Sequence, residues 1–185
     1  MHIALVSNGP SGALFPAGGR AAYDLLVGVN KVATLHPCDW WSFTDMKTYK
    51  EEWDSVLGSP QFFTKRPAYQ KIQKQMTGQP HARFTQRIAD KRVLVYDELE
   101  HPPPRWHDCP EWFSWSGCPA LALCVNLKAT KITYFGVDLE GDHDVRGELD
   151  VSRLDTRWVR ERILWRHLVE WATDEHGVEV VNGAA

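Results

Sequence analysis

The feature that most constrains the fold is a succession of five short apolar runs separated by more polar segments. The runs occupy residues 2–7, 23–29, 92–96, 131–137 and 178–181. They show little alternation between apolar and polar side chains, a pattern typical of strands that are covered on both faces, as in a parallel sheet. The sequence therefore predicts a buried and mostly parallel sheet.

Helical patterns fall between these runs. Residues 116–129 begin with a Ser-Gly pair and continue with small apolar residues, and residues 155–176 carry apolar side chains at helical spacing. Residues 67–76 form a third predicted helix, which is short and basic. The alternation predicts an α/β fold, a single Rossmann-like three-layer domain over residues 1–185 with a mostly parallel sheet.

Composition bears on size and compartment. A chain of 185 residues with 43% hydrophobic residues can bury a full core as one domain. No basic segment precedes the first apolar run, and no run approaches the roughly 18 residues of a membrane span. We therefore expect a cytoplasmic protein with no membrane segment, whose four cysteines are reduced thiols. His107, Cys109 and Cys118 fit no standard zinc spacing, so we expect no metal site.

The loop after the first run reads Asn8-Gly9-Pro10-Ser11. It places a small residue, backbone N–H groups and the Asn8 amide at the carboxyl edge of the predicted sheet, where open α/β folds bind ligands. The pattern is neither a dinucleotide fingerprint nor a P-loop. A plain turn explains these four residues equally well.

Two further loops carry candidate site residues. Ser116 and Gly117 open a predicted helix, where N–H groups and the helix dipole suit a phosphate, although an ordinary N-cap is the alternative. Residues 138–144 hold four acidic side chains around His143. Such a loop suits a divalent metal, an oriented hydroxyl group or a general base, and a solvated turn is the alternative.

Taken in order, these loops match the motifs of a known superfamily. A strand ending in Gly-Asn-Gly-Pro-Ser corresponds to residues 7–11, and a strand ending in Asn to residues 27–30. A helix opened by Ser-Gly corresponds to residues 116–123, a strand ending in Gly-Val-Asp to 132–138, and a closing Gly-Val-x-Val-x-Asn strand to 177–182. The chain resembles the superfamily that joins bacterial sialyltransferase-like glycosyltransferases to archaeal pterin diphosphokinase-like proteins, relatives of which occur in phage genomes.

The resemblance implies a set of site residues. Those that would cradle a nucleotide are Asn8, Gly9, Pro10, Ser11, Ser116 and Gly117, with Asn30 at the donor and Asp138 lining the site. The sequence departs from the family at Ser7, where the family has glycine. The sialyltransferases also carry a catalytic histidine well beyond the Gly-x-Asp strand, and His143 does not match its position. The candidate catalytic groups are therefore Asp138, Asp142, His143 and Asp155.

The function implied by the resemblance is a transferase that uses a nucleotide-activated donor, foremost a glycosyltransferase that moves a sugar from a sugar nucleotide to an acceptor hydroxyl. Two alternatives stay open: an ATP-dependent diphosphokinase acting on a pterin-like alcohol, which needs Mg²⁺, and a non-catalytic nucleotide-binding module. Exposed indole rings at Trp40, Trp41, Trp106 and positions 112–115 could stack on a base or a sugar, and packing is their alternative role.

The charge distribution bears on the acceptor. Eight basic residues and one acidic residue fall between positions 65 and 92, whereas the whole chain has a formal net charge of -3. We predict a basic insertion at residues 60–92 that meets a polyanion, such as a nucleic-acid acceptor with a modified base in phage DNA, inside a host cytoplasm. The residues that would contact phosphates are Lys65, Arg66, Lys71, Lys74, Arg83, Arg87 and Arg92. A solvated helix face, paired with acidic residues elsewhere, is the alternative.

Overall fold

The computed structural model describes residues 1–104, 117–141, 143–149 and 155–185. Its centre is a sheet of seven strands. The strands are β1 (His2–Val6), β2 (Leu25–Val29), β3 (Trp40–Phe43), β4 (Gln61–Thr64), β5 (Val93–Val95), β6 (Lys131–Phe135) and β7 (Glu179–Asn182). The helices are α1 (Met46–Glu52), α2 (Arg66–Gln75), α3 (Gly78–Ala89), α4 (Gly117–Asn126) and α5 (Asp155–Asp174).

The strands lie in the order β5-β4-β3-β2-β1-β6-β7, and every neighbouring pair is parallel. From β1 the chain moves outwards strand by strand to β5, and it then returns to place β6 on the other side of β1. The strand order therefore reverses between β1 and β6. In open α/β sheets the crevice outside the carboxyl ends of the strands at such a reversal is the usual ligand site. The predicted α/β fold class with a mostly parallel sheet is confirmed.

Helices cover both faces of the sheet, which gives the domain three layers. On one face α1, α2 and α3 pack around Tyr49, Ile72 and Phe84, all fully buried. On the other face α4 contacts β1, β2 and α5. Every residue from Cys118 to Val125 is buried, because α4 lies between the sheet and α5.

The sequence patterns located some of these elements and missed others. All five predicted strands are present, as β1, β2, β5, β6 and β7, and the three predicted helices correspond to α2, α4 and α5. β3, β4, α1 and α3 were not predicted. A signal for α1 is present, since Asp45 caps it by accepting a 2.7 Å hydrogen bond from the Thr48 N–H.

The expectation of exposed rings at Trp40 and Trp41 is wrong. Both residues lie in β3, where Trp40 is 8% exposed and Trp41 is fully buried. The Trp41 ring packs against Phe43, Tyr49 and Phe62, with ring centroids 4.6 to 5.7 Å apart. Trp41 belongs to the core on the α1 face of the sheet and Trp40 to the core on the α4 face, so neither indole can stack on a ligand. The tryptophans at 106, 112 and 115 lie outside the described residues.

The segment predicted as a basic insertion, residues 60–92, belongs to the sheet layer itself. It supplies β4, α2 and α3, and it leads directly into β5. β4 pairs with both β3 and β5. The segment therefore contributes a strand to the sheet and two helices to one of its faces.

Candidate functional site

Three of the predicted loops meet at the carboxyl edge of the sheet, beside β1. The last residue of β1 is the register partner of Gly28 in β2 and of Phe135 in β6. Asn8 lies two residues beyond the end of β1, and Asn30 lies two residues beyond Gly28. Asp138 lies three residues beyond Phe135. The side chains of all three loops therefore start from one edge, at the reversal of strand order.

The loop after β1 is fixed against the end of β6. The Ser7 N–H donates to the Phe135 carbonyl and the Gly9 N–H donates to the Gly136 carbonyl, both at 2.8 Å. A methyl group added at Gly9 would collide with Asp138 Oδ2 and would lie 2.5 Å from the Gly136 carbonyl oxygen. Glycine is required at position 9 because the two loops touch there through backbone.

Gly136 meets the same requirement from the opposite side. Its φ of 71° is in the left-handed region, and a methyl group there would collide with the Ser7 carbonyl oxygen. The loops after β1 and β6 are therefore packed backbone to backbone.

Asp138 holds the first turn of a short 3₁₀ helix, Pro10–Leu14, that follows the loop. Its Oδ2 accepts a hydrogen bond of 2.8 Å from the Ser11 N–H. In return, Ser11 Oγ accepts one of 2.9 Å from the Gly136 N–H. The half-buried Asp138 carboxylate thus positions the Asn8 loop, a contact that its sequence position did not suggest.

Asn30 follows β2 and begins another 3₁₀ helix, Asn30–Thr34. Its φ of 50° is left-handed, a conformation that asparagine tolerates better than most residues. The Asn30 carbonyl accepts a 2.9 Å hydrogen bond from Trp41 Nε1. A buried indole in β3 therefore fixes the backbone at the residue predicted to contact the donor.

The amino end of α4 reaches the same edge. A methyl group added at Gly117 would lie 3.4 Å from Ser7 Oγ and 4.0 Å from Val137 Cγ2. The first N–H groups of a helix have no partner within the helix, and the helix dipole makes that end electropositive. Gly117 thus brings an anion-attracting helix end beside the loops after β1 and β6. Ser116 lies outside the described residues.

A hairpin of residues 143–149 completes the edge, and the sequence did not predict it. Its ends pair through an antiparallel bridge between His143 and Leu149. At its tip the Val145 N–H donates a 2.9 Å hydrogen bond to the Asn8 carbonyl. His143 is exposed and stands two residues before this contact. Asp142 lies outside the described residues. Asp155 begins α5, but its side chain is not described.

Asp144 joins the hairpin to Lys31 through an ion pair. Its side chain is 2% exposed, and its Oδ2 lies 2.7 Å from Lys31 Nζ. Burial alone raises the pKa of Asp144, but hydrogen bonds from Lys31 and from the N–H groups of Glu148 and Arg146 outweigh it and hold the pKa below the ordinary value. For Lys31 the signs are reversed. Burial lowers the pKa of Lys31, but its hydrogen bonds to Asp144 and Glu148 outweigh burial and raise that pKa above the ordinary value.

The predicted polyanion contacts are only partly available at the surface. Arg87 is wrong as a phosphate contact, because it is 7% exposed, bonds to Ser59 Oγ at 2.6 Å and lies over the Phe62 ring. The other three arginines make contacts within the protein. Arg66 pairs with Asp97 and Glu98 at the surface. Arg83 donates to the Trp53 carbonyl and Arg92 to the Ser59 carbonyl. Lys71 and Lys74 are exposed, and Lys65 is half-buried.

Within the described part of the chain, no group of three or more histidine, cysteine or acidic side chains is arranged to hold a metal ion. None of the helices in that part combines the length and apolar character needed to cross a bilayer.

No protein-family model and no curated protein sequence matches the chain. Solved structures do match its fold. The sialyltransferase CstII from Campylobacter jejuni with cytidine-5'-monophosphate gives a TM-score of 0.56 at 11% identity, covering 97% of this chain and 78% of that one. The same enzyme with the substrate analogue CMP-3FNeuAc gives 0.54 at 10% identity, covering 97% and 79%.

A structure of the sialyltransferase CST-II with a trisaccharide acceptor and CMP gives a TM-score of 0.54 at 11% identity, covering 97% of this chain and 79% of that chain. At these identities the likeness establishes a shared fold.

Proposed function

We propose that this protein is a glycosyltransferase that moves a sugar from a CMP-activated donor to a hydroxyl group of an acceptor glycan. One observation carries the proposal. The Asn8–Gly9 loop, Asn30 and the first turn of α4 meet at the reversal of strand order, in a fold shared with a sialyltransferase solved with CMP.

We assign each part of the donor to residues at the carboxyl edge whose chemistry suits it. The phosphate of the donor takes the N–H groups at the first turn of α4, which begins at Gly117, where the helix dipole favours an anion; Ser116, the preceding residue in the sequence, is assigned to the same phosphate. The nucleoside lies along the loop formed by Asn8, Gly9, Pro10 and Ser11. The Asn30 amide, which can donate and accept, contacts the donor.

The reaction is a displacement at the anomeric carbon of the sugar. The acceptor oxygen forms a bond to that carbon, the bond from the carbon to the phosphate oxygen breaks, and CMP leaves with the electron pair. Negative charge grows on the phosphate as the bond breaks, so the N–H groups of α4 stabilise the transition state more than the bound donor. The acceptor hydroxyl gives its proton to a general base.

We assign that base to His143. Histidine is the side chain that most often serves as a general base near neutral pH. His143 is exposed and opens the hairpin that touches Asn8. Asp138 Oδ2 already accepts from the Ser11 N–H, so we assign Asp138 to holding the loop. Asp142 stays a second candidate for the base.

A glycan acceptor suits the described surface better than a nucleic acid. Phosphate binding needs lysines and arginines that are free to release counterions. Arg87 is buried, and both acidic partners of Arg66 lie within 3.0 Å of it. A nucleic-acid acceptor would therefore depend on the four lysines of the segment, Lys65, Lys71, Lys74 and Lys91.

The test begins with ligand-induced thermal stabilisation by CMP, UDP, GDP and ATP, in the wild-type chain and in Asn8→Ala. A ligand that binds only the folded state raises the free energy of unfolding by RT ln(1 + [L]/Kd), where [L] is the free ligand concentration. We expect CMP to raise the melting temperature of the wild type and to raise that of Asn8→Ala much less. Gln70→Ala, an exposed change on α2, is the matched control and should respond as the wild type does.

The second measurement is CMP release from a CMP-activated sugar with an oligosaccharide acceptor. His143→Ala should lower kcat about 100-fold and leave the response to CMP unchanged, because a general base acts on the acceptor. Equal stabilisation of wild type and Asn8→Ala by CMP would refute the site. Stabilisation by ATP alone, with AMP released in the presence of Mg²⁺, would instead favour the diphosphokinase alternative.

A further inference from the structure

The 143–149 hairpin crosses the carboxyl edge of the sheet. It follows β6, touches the loop after β1 through Asn8, and reaches residues that follow β2 and end α1. β1 lies between β6 and β2 in the sheet. The hairpin therefore passes over the end of β1 and links the two sides of the candidate site.

Its first link is a buried ion pair to the residue next to Asn30. Asp144 Oδ2 and Glu148 Oε2 lie 2.7 Å and 2.5 Å from Lys31 Nζ. The second oxygen of Asp144 accepts hydrogen bonds from the N–H groups of Arg146 and Glu148, at 2.8 and 3.1 Å. One carboxylate thus shapes the turn of the hairpin and fastens it to the loop after β2.

Its second link has the opposite polarity. Arg146 donates to both carboxylate oxygens of Glu52, at 2.7 and 3.3 Å, and to Thr34 Oγ1 at 2.6 Å. Glu52 ends α1 and is 7% exposed. The hairpin therefore presents an anion to Lys31 and a cation to Glu52, and it fits only one way round.

Between the two links the hairpin presses on the Asn8 loop. The Val145 N–H donates to the Asn8 carbonyl at 2.9 Å, and the Val145 side chain is 7% exposed. A methyl group added at Gly12 would lie 3.0 Å from Val145 Cγ2. Val145 packs with the core that contains Phe15 and Val32, on the sheet face opposite α4. The edge is thus bounded by α4 on one face and by the hairpin on the other.

We propose that the hairpin is the second wall of the nucleotide site and that Lys31 and Asp144 are positioning residues, whose ion pair holds Asn8 and Asn30 at the spacing that the nucleotide needs. The inference rests on the proposed function. It assigns a role in binding to two charged residues that are 113 positions apart and that need not touch the ligand.

The test is the dissociation constant of CMP measured by calorimetry, together with the urea-unfolding free energy of each variant. Lys31→Met and Asp144→Asn should each weaken CMP binding about tenfold, which corresponds to roughly 1.4 kcal/mol. The double variant should bind no more weakly than the poorer single variant, because each change removes the same pair. Lys31→Arg keeps the charge and should bind CMP as the wild type does.

A matched control separates positioning from general loss of stability. Arg20 pairs with Asp39 at 2.9 Å, and the two side chains are 36% and 32% exposed. Asp39 immediately precedes β3, so this ion pair lies at the amino end of that strand and away from the carboxyl edge. Arg20→Met should lower the unfolding free energy and leave the dissociation constant of CMP unchanged. If Lys31→Met does not fold, Asp144→Asn, which keeps the shape of the side chain, carries the test.

The outcomes are distinct. A wild-type chain that does not bind CMP overturns the proposed function, and this inference falls with it. A wild-type chain that binds CMP, with unchanged binding in folded Lys31→Met or Asp144→Asn, overturns the positioning role alone. Loss of CMP binding in Arg20→Met as well would also overturn that role. The weaker binding would then result from lower stability in general and not from the position of the Lys31–Asp144 pair beside the site.

Discussion

The carboxyl edge beside β1 and the basic segment at residues 65–92 use their conspicuous residues in opposite ways. At the edge, small and amide residues meet: Gly9 touches Gly136, and Asn8 lies beside the hairpin. In the basic segment, Arg87 and Arg66 turn to partners inside the protein. The glycines at the strand ends are thus required by close backbone contacts, whereas part of the run of positive charge is used in contacts within the protein.

The difference has a physical cause. A glycine with a positive φ or a close backbone contact is required by the backbone conformation at its own position, so its structural role is local. The structural role of a charged side chain depends on its partner, which can lie anywhere in the chain. A run of charge in a sequence is thus a weaker guide to local structure than a glycine at a strand end.

The largest expected effect falls on the edge. Gly136→Ala should lower the unfolding free energy by about 3 kcal/mol or more, because the added methyl group meets the Ser7 carbonyl as well as an unfavourable φ. Urea unfolding measures the loss. Gly18→Ala is the control: its φ is 76° and no atom lies within 4 Å of the added methyl group, so a loss of only about 1 kcal/mol is expected. Equal losses would show that φ alone sets the cost.

The next effect belongs to the basic segment. Arg87→Met should cost about 2 kcal/mol of unfolding free energy, since it removes the hydrogen bonds to Ser59 and the contact with Phe62. Lys74→Met, at an exposed position on α2, should cost under about 0.5 kcal/mol. If Arg87→Met leaves stability intact and abolishes binding to a polyanion such as heparin, the comparison between the two regions breaks down.

A smaller effect is expected at Asp138. Asp138→Ala should cost about 1.5 kcal/mol, the usual contribution of a hydrogen bond to a charged group, because the Ser11 N–H loses its acceptor. It should also weaken CMP binding, since the Asn8 loop loses its support. The dissociation constant of CMP, measured by calorimetry at neutral pH, tests this second effect. If the folded variant bound CMP with wild-type affinity, Asp138 would contribute to stability and not to binding.

The smallest expected effect is on the pH dependence of stability. A carboxylate whose pKa is lowered by folding stabilises the protein above the ordinary aspartate pKa, and this contribution is lost as the pH falls through the lowered pKa. The raised pKa of Lys31 gives the converse, a contribution present below 10.5 and lost as the pH rises beyond it. The stability difference between wild type and Asp144→Asn should therefore shrink as the pH falls from neutral to below the ordinary aspartate pKa.

That experiment compares urea unfolding of the two chains at a series of pH values. Glu148→Gln, which keeps Asp144 intact, is the control and should follow the wild-type profile in acid closely. A stability difference that stays constant from neutral to acid pH would contradict an ionised Asp144 in the folded protein.

The sequence patterns predicted most of the sheet but not all of it. Apolar runs indicated five strands, yet β3 was missed because Trp40 and Trp41 suggested exposed rings, although a strand buried on both faces can hold them. β4 was missed because its two phenylalanines stand beside a basic stretch. The meeting of Asn8, Asn30, Gly117 and Asp138 was predictable, since the carboxyl ends of parallel strands share one edge.

The hairpin could not be predicted in the same way. Its contacts join residues more than 90 positions apart, such as Arg146 with Glu52, and no local pattern pairs them. The only local signal was the turn sequence Asp144-Val145-Arg146-Gly147-Glu148, in which an aspartate can bond to the N–H groups that follow it.

The reversal of strand order has a consequence for synthesis on the ribosome. β1 to β5 are made in the order in which they pair, so each new strand finds its neighbour already present. The Asn8 loop, by contrast, gains its contacts with Gly136 and Asp138 only when residues more than 120 positions later emerge. Binding competence should thus arise late during translation, and a nascent chain arrested before residue 136 should already contain paired strands and yet be unable to retain a nucleotide.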